Sequence, residues 1–181
     1  MYFNGKTSER LNYRRLALSD IAKWQHFFED EASLEYLGLD LSLDKAQQAR
    51  DWIERQLWRY ENQAYGHHAL IEKESGCFIG QCGLLTQEVE GRQELEIGYH
   101  LFKEYRGQGY ATEAALAFRD FAFENTLAPS LISIIDVRNS ASQNVAQKMG
   151  MVNTKQVRYY DLDVYIYRIQ RESWLCQREG K

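Results

Sequence analysis

Cysteine and proline are scarce in this chain of 181 residues, which has three cysteines and one proline. Cys77, Cys82 and Cys176 form no CxxC pair, so the sequence indicates neither a disulfide framework nor a zinc site, and it predicts free thiols. No apolar run approaches the roughly 20 residues that span a bilayer. The opening residues MYFNGKTSER also lack the apolar core of a signal peptide. We therefore expect a cytoplasmic protein with no membrane partner.

An excess of positive charge is also absent. The formal net charge is −4 and the pI is about 5.6, so the chain lacks the basic footprint of a nucleic-acid-binding protein. The mild acidity is compatible with a cationic substrate. The length and the hydrophobic content of 44% suit one core. We expect a single domain over residues 1–181, with its core between about residues 8 and 172.

Apolar periodicity divides the first half of the chain into strands and helices. RLNYRRLAL predicts a first strand, and Ser19 predicts the cap of a helix after it. A longer helix is predicted from about Leu43 to Tyr60, because apolar residues line one of its faces. The segment EDEASLEYLGLD between these helices is ambiguous. Three strands are predicted next, with separators of hairpin length: YGHHALIEK, CFIGQCGLLTQ and RQELEIGYHLF.

The second half alternates between helix and strand. A helix is predicted from the residues after Gly109 to near Asn125, and LISIIDV predicts a strand covered on both faces. Asn139 predicts the cap of a short helix through Met149, with Gly150 as its stop. VRYYDLDVYIYRI predicts two final antiparallel strands. This order indicates an α+β fold with a mixed, mostly antiparallel central sheet, flanked by about four helices.

The stretch YRGQGYATEAA, residues 105–115, sets Gly107 and Gly109 two apart, directly before small residues at helical spacing. A helix start leaves backbone N–H groups without partners and carries about half a positive charge, so it suits an anion. Glycine lets the main chain approach phosphate oxygens, and Arg106 would add a forked donor. The spacing fits neither GxxxxGK(S/T) nor GxGxxG. The residues alone leave open a plain glycine turn that joins a strand to a helix.

Residues 106–111, RGQGYA, match the acyl-CoA motif Q/R-x-x-G-x-G/A, and in this the chain resembles the GNAT acetyltransferases. LEIGYHLFKEYRGQGYATEA, VRNSASQNVAQKMGM and the opening SERLNYRRLALSDI are similar to the RimJ/RimL-type branch of that family. The resemblance runs from about Ser8 to at least Tyr167. It implies the GNAT fold with a V-shaped split between the fourth and fifth strands, acetyl-CoA as co-substrate, and no metal.

The resemblance also implies which residues contact acetyl-CoA. The pantetheine arm would pair with the backbone of Tyr99, His100 and Leu101, and an exposed strand edge can pair with such an amide-bearing ligand. Asn139 would bond the same arm, although the residues alone equally allow a helix cap. The pyrophosphate would lie on the N–H groups of Gly107, Gln108, Gly109, Tyr110 and Ala111.

For catalysis, the resemblance implies direct attack of an amine on the thioester, which needs a base and a proton donor for the thiolate. Glu96 is the predicted base, because its strand leads to the carbonyl site; an exposed strand residue is the alternative. Many relatives supply a tyrosine in the pattern NxxAxxxYxKxG, and this tyrosine is missing here. The corresponding residues are Asn139, Ser142, Ala146, Lys148 and Gly150. Ser142 is the predicted thiol donor, and a serine bonded to its own helix backbone is the alternative.

Several other chemistry-bearing residues point more to packing than to function. His67 and His68 are neighbours in a predicted strand and face opposite ways, which argues against joint metal ligation. The late tyrosines are predicted to pack in the core and at the sheet edge. Three tryptophans lie on the early helices, which in this family wall the acceptor site, but packing is the default prediction for them: Trp24, Trp52 and Trp58.

Two functions from different classes follow from the sequence. The leading hypothesis is an acetyl-CoA-dependent N-acetyltransferase of RimJ/RimL type, which acts on a peptide N-terminus or on a small cationic amine. The alternative is a catalytically silent acyl-CoA-binding sensor or interaction protein, which the missing tyrosine favours. The sequence leaves the acceptor and the choice between monomer and dimer open.

Overall fold

A seven-stranded sheet forms the centre of the computed structural model, which describes residues 2–39 and 42–179. The strands are β1 Leu11–Arg14, β2 His67–Glu72, β3 Phe78–Val89, β4 Arg92–Leu101, β5 Ser130–Asp136, β6 Val152–Tyr159 and β7 Leu162–Gln170. The α-helices in these ranges are α1 Ile21–Trp24, α2 Glu31–Leu34, α3 Lys45–Glu61, α4 Tyr110–Glu124, α5 Ser140–Lys148 and α6 Arg171–Glu179. Short 3-10 helices cover Leu18–Asp20, Gln25–Glu29, Glu35–Leu37 and Lys103–Tyr105.

The sheet opens between its fourth and fifth strands. The strand order is β1-β2-β3-β4-β5-β7-β6, and every neighbouring pair is antiparallel except β4 and β5. Among the described residues these two parallel strands pair only at Glu96 and Ile132, and beyond that point they diverge. The predicted α+β fold with a mixed, mostly antiparallel sheet and a V-shaped split is confirmed.

Helices cover both faces of the sheet. On one face, α4 buries Phe118 and Phe123 in a core shared with β3, β4 and β5. On the other face, α1 and α3 bury Trp24 and Ile53 in a second core. Alternate residues of β4 therefore point to different surroundings. Ile97 packs in the core under α4, whereas the ring of His100 meets the ring of Trp52 on α3.

The later helices and strands agree closely with the sequence predictions, and the early ones agree less well. The cap at Ser19 is wrong, because Asp20 and not Ser19 accepts a hydrogen bond at this helix start, from the backbone N–H of Ala17 at 2.8 Å. The predicted first helix is divided into short 3-10 and α-helical pieces. The ambiguous segment forms α2 and a 3-10 helix, apart from Asp40, which lies outside the described residues. Helix α6 was not predicted.

No helix in the described ranges is both long and apolar enough to cross a membrane. The three cysteines are unpaired, and only Cys82 is buried.

Candidate active site

A cleft of about 1030 Å³ passes through the split between β4 and β5. We call its two ends the α3 side and the α4–α5 side. The α3 side is lined by Trp52, Arg55, Gln56, Arg59, His67, Leu85 and Gln87. The end of β6 and the turn after it add Tyr159, Tyr160 and Asp161 at its rim. The α4–α5 side is lined by Gly107, Gly109, Ala111, Thr112, Asn139, Ser142, Val145 and Lys148. Glu96 lines the cleft where the two strands part.

The carboxyl group of Glu96 bridges the two diverging strands. One oxygen accepts a hydrogen bond from the backbone N–H of Ile134 on β5, at 3.2 Å. The other accepts from the Gln87 side-chain amide at 2.6 Å, and the amide oxygen of Gln87 accepts from the Tyr159 hydroxyl at 3.2 Å. Burial raises the pKa of Glu96, against these two hydrogen bonds that favour its ionised form. The alternative of an exposed strand residue is wrong, since the residue is only 8% exposed.

A buried histidine lies beneath the α3 side of the cleft. The His67 ring stacks on Trp52 and meets the ring of His100 edge-on. Within the described part of the chain, neither ring nitrogen of His67 has a hydrogen-bond partner. A Cβ atom on Gly98 would lie 2.8 Å from His67 Nε2, so the glycine leaves room for the ring. Burial first, then the charges of His100 and Arg59, lowers the pKa of His67 well below its usual value, and the ring is neutral.

The glycine loop leads into an uncapped helix start on the α4–α5 side. Gly107 and Gly109 have φ of +74° and +86°, which L side chains rarely adopt. Gly109 is the N-cap residue of α4, and none of the described side chains caps that end. The first N–H groups of α4, including those of Tyr110 and Ala111, have no acceptor within the helix itself. Because this end also lines the cleft, it is suited to an anionic group.

Two arginines hold the loop in place. Arg106 donates from Nε and Nη2 to the carbonyl of Leu101, at 3.0 and 2.7 Å, and pairs with the carboxylate of Asp30. Arg10 donates to the carbonyl of Gln108 at 2.9 Å and pairs with Glu113 at 2.7 Å. Sequence reasoning missed Arg10, because nothing in the sequence links it to a loop almost a hundred residues later.

Of the three β4 residues predicted to pair with the pantetheine arm, only one has backbone groups that are open to the split. The carbonyl of Ile97 accepts from the Ser133 hydroxyl of β5 at 2.9 Å, so it points toward β5. The backbone N–H and C=O groups of successive residues in a strand point to opposite sides. Those of Tyr99 and Leu101 therefore point toward β5, like those of Ile97, and those of His100 point toward β3. Leu101 already accepts from Arg106. Tyr99 is therefore the member whose backbone stays open to the split, and His100 lines the cleft with its ring.

Helix α5 brings Asn139 and Ser142 to the cleft. Asn139 caps the helix, since its side-chain oxygen accepts from the backbone N–H of Ser142 at 3.0 Å. The Ser142 carbonyl accepts from the Tyr99 hydroxyl at 2.9 Å, and the Ser142 hydroxyl lies beside the same Tyr99 hydroxyl. Ala146, in the place of the relatives' tyrosine, is completely buried in the α4 core.

The remaining aromatic and histidine residues divide between packing and the cleft. Trp24 is fully buried, as predicted, whereas Trp58 is 60% exposed, so the packing prediction for it is wrong. Trp52 lines the cleft and donates to the Gln81 side chain at 3.0 Å. The prediction that His67 and His68 face opposite ways is confirmed, because His68 packs against Tyr2 and Phe118 on the other face. No metal-binding group of three or more His, Cys, Asp or Glu residues occurs within the described part of the chain.

The sequence signal was weakest on the α3 side. Gln87, Arg55 and Arg59 were missed, because they are ordinary polar residues of a strand and of a helix surface. The i, i+4 spacing of the two arginines places them on one helix face, but only the packing of α3 against the sheet turns that face toward the cleft.

Comparisons with known proteins agree with this architecture. A family model described as an acetyltransferase (GNAT) domain matches residues 10–152. The chain is 34% identical over 151 residues to protein YkkB of Bacillus subtilis (strain 168), covering 82% of this chain and 83% of YkkB. A solved acetyltransferase from Agrobacterium tumefaciens has a TM-score of 0.77 at 28% identity and covers 94% of this chain and 97% of that chain.

A second solved structure is RimL, a ribosomal alpha-N-protein acetyltransferase in complex with coenzyme A. Its TM-score is 0.76 at 17% identity, with 92% of this chain and 97% of that chain covered. At this identity the likeness concerns the fold alone.

Proposed function

Because the chain belongs to the GNAT acetyltransferase family, we propose that it transfers an acetyl group from acetyl-CoA directly to a primary amine. One observation carries the proposal. A buried carboxyl group, Glu96, lies at the point where the sheet splits, inside one cleft that also reaches the open start of α4. Such an arrangement brings a base and an anion-binding backbone to the same cleft.

Acetyl-CoA fits the α4–α5 side by its chemistry. The N–H groups of residues 107–111, which combine two positive-φ glycines with an uncapped helix start, would hold the pyrophosphate. The open backbone of Tyr99 would pair with the amides of the pantetheine arm. Arg106 and Asn139 would act mainly through the loop and the helix cap that they hold, and His100 and Leu101 would shape the neighbouring wall.

The acceptor amine would enter from the α3 side as an ammonium. Glu96 would take its proton, directly or through a water molecule, and the free amine would then attack the thioester carbon. A C–N bond forms, the C–S bond breaks, and the sulfur leaves as a thiolate. The hydroxyl of Ser142 is the proposed hydrogen-bond donor to that thiolate, because Ser142 lines the cleft on the side proposed for acetyl-CoA.

The sequence motifs favour the RimJ/RimL-type branch, so the proposed acceptor is a peptide N-terminus or a small cationic amine. We place this activity in a single cytoplasmic domain of residues 1–181. A second candidate, a silent acyl-CoA-binding protein, is favoured by the missing tyrosine, whose position is filled by the buried Ala146.

Binding and turnover, measured separately, test the two candidates. Titration calorimetry gives the Kd for acetyl-CoA. A panel of peptides with free N-termini and of small amines is then assayed for thiol release, and mass spectrometry detects the acetylated amine. Amine-dependent thiol release with an acetylated product is the expected result. Tight binding of acetyl-CoA without any product across the panel would instead support the silent binding protein.

A further inference from the structure

The α3 side of the cleft holds two arginines that form no ion pair with any described residue. Arg55 and Arg59 lie one helical turn apart on α3, and both line the cleft. Within residues 2–39 and 42–179, no carboxylate lies within 4.0 Å of either guanidinium. The side chain of Arg59 makes one hydrogen bond to the described residues, from Nη1 to the Gln56 side-chain oxygen at 3.2 Å.

The absence of an ion pair with the described residues sets Arg59 apart from another arginine on the same helix. Arg50, outside the cleft, pairs with Glu54 at 3.4 Å. Arg59 is half-buried, and burial first, then the charge of Arg55, lowers its pKa, while the charge of Glu96 offsets this only in part. Both effects disfavour a cation at this position. Charged groups removed from water are normally paired, so a ligand is the natural source of the missing negative charge.

The other ionisable groups of the α3 side leave this charge in place. The carboxyl of Glu96 attracts Arg59 through space but forms no ion pair with it among the described residues, because its hydrogen bonds go to Gln87 and to the backbone of β5. Asp161 is exposed at the rim, in the turn between β6 and β7. His67 is neutral, because burial keeps its pKa well below the usual value. The α3 side therefore offers a carboxyl for an ammonium and, separately, two guanidiniums for an anion.

From this arrangement we propose that the acceptor is a zwitterion, a primary amine that carries a carboxylate or a phosphate a few bonds from its nitrogen. The inference rests on the proposed acetyl transfer. Glu96 receives the ammonium end, and Arg59, assisted by Arg55, receives the anionic end. A guanidinium binds either anion through two parallel hydrogen bonds. A polyamine, which carries charges of one sign only, is a poor match for this pocket.

Conjugates of CoA test the inference without any need for turnover. The CoA sulfur is joined through an acetyl bridge to the nitrogen of glycine, glycinamide or ethylenediamine, so that the far end is anionic, neutral or cationic at similar length. Conjugates of β-alanine and γ-aminobutyrate vary the spacing, and one of aminoethyl phosphate separates phosphate from carboxylate. Titration calorimetry compares their Kd values on the parent protein and on Arg59→Gln, Arg59→Glu and Arg50→Gln.

At least one anionic conjugate should bind the parent protein roughly tenfold or more tightly than the neutral one. Arg59→Gln should abolish this preference, Arg59→Glu should shift it toward the cationic conjugate, and Arg50→Gln should keep it. A parental Kd for acetyl-CoA verifies that each variant is folded. If all conjugates bind the parent equally, or the cationic one binds best, the inference is overturned while the proposed function stands. If neither acetyl-CoA nor any conjugate binds, the proposed function itself fails.

Discussion

At the scale of single residues, Glu96 serves both the sheet and the proposed chemistry. Where β4 and β5 diverge, the N–H of Ile134 donates to the Glu96 carboxyl instead of to a backbone carbonyl of a neighbouring strand. Burial raises the pKa of Glu96, and a carboxyl with a raised pKa holds a proton more strongly than an exposed one. It is thus a better base near neutral pH. The position that stabilises the split also suits the residue for deprotonating an amine.

We predict that Glu96→Gln lowers kcat by about 10²-fold or more and leaves the Kd for acetyl-CoA unchanged. The rate of the parent should rise with pH as Glu96 ionises, because the carboxylate is the base, and the variant should lose this dependence. The substitution is nearly isosteric. The new amide keeps an oxygen for the N–H of Ile134, and Gln87 can turn its own amide oxygen toward the new NH₂ group. The measurement is kcat and kcat/KM against pH by thiol release.

The matched control for this prediction is Glu88→Gln, which removes an exposed carboxylate from the neighbouring strand β3. It should retain the parental pH profile. A Glu96→Gln enzyme with the same profile as the parent would show that the amine loses its proton in free solution and that Glu96 only supports the sheet.

At the scale of elements, the start of α4 depends on a backbone conformation that favours glycine. Gly109 has φ of +86°, and a Cβ atom there would lie 3.3 Å from Nη2 of Arg10, which holds the loop. We predict that Gly109→Ala costs about 1–2 kcal/mol of stability and weakens acetyl-CoA binding roughly tenfold or more. Chemical denaturation and titration calorimetry measure the two effects.

The control uses a second glycine with a similar backbone. Gly91, in the turn between β3 and β4, has φ of +75°, and an added Cβ would have no atom of the described residues within 4 Å. Gly91→Ala should lose stability to a similar extent and bind acetyl-CoA as the parent does. Equal affinities of the two variants would mean that the start of α4 is an ordinary glycine turn.

Local sequence signals located the elements that carry the cofactor chemistry. Turn residues and the alternation of apolar and polar residues predicted β2, β3 and β4. Glycines predicted the start of α4 and the end of α5, where Gly150 has φ of +82°. The segment before α3 was read poorly, since its helices are only three to five residues long and are set by packing around Trp24. Such short turns carry too few residues for periodicity to decide.

At the scale of the whole molecule, the site joins residues that no local pattern connects. Arg59 of α3, His67 of β2 and Glu96 of β4 meet at one cleft only because the sheet splits and α3 crosses its face. Gly98 also acquires its role from this arrangement, because the His67 ring occupies the space beside it. The resemblance to the GNAT family predicted the acetyl-CoA side of the cleft from one contiguous motif. The α3 side has no such motif and depends on tertiary contacts.

Buried neutral histidines also link the stability of the whole molecule to pH. Burial lowers the pKa of His68 and of His100 to about 4 and that of His67 well below its usual value. In the unfolded chain each would titrate near pH 6.5, at about its ordinary pKa. Between about pH 6.5 and 4 the unfolded state therefore binds protons that the folded state does not, and stability falls as the pH is lowered. Glu96 partly opposes this loss of stability, because its raised pKa lets the folded state bind a proton that the unfolded state does not.

We predict that the free energy of unfolding decreases between about pH 7 and pH 5, with a contribution on the order of 2 kcal/mol from each buried histidine. His68 is the residue to change, because it packs against Tyr2 and Phe118, away from the cleft. His68→Gln should lower stability at about pH 7, where a packed ring is lost, yet its further loss toward pH 5 should be smaller than that of the parent by about one histidine's share. Urea denaturation at each pH measures both values. If the stability of the parent does not change over this range, the histidines must take up protons in the folded state. The α3 side of the cleft and the core around His68 would then open to water in acid.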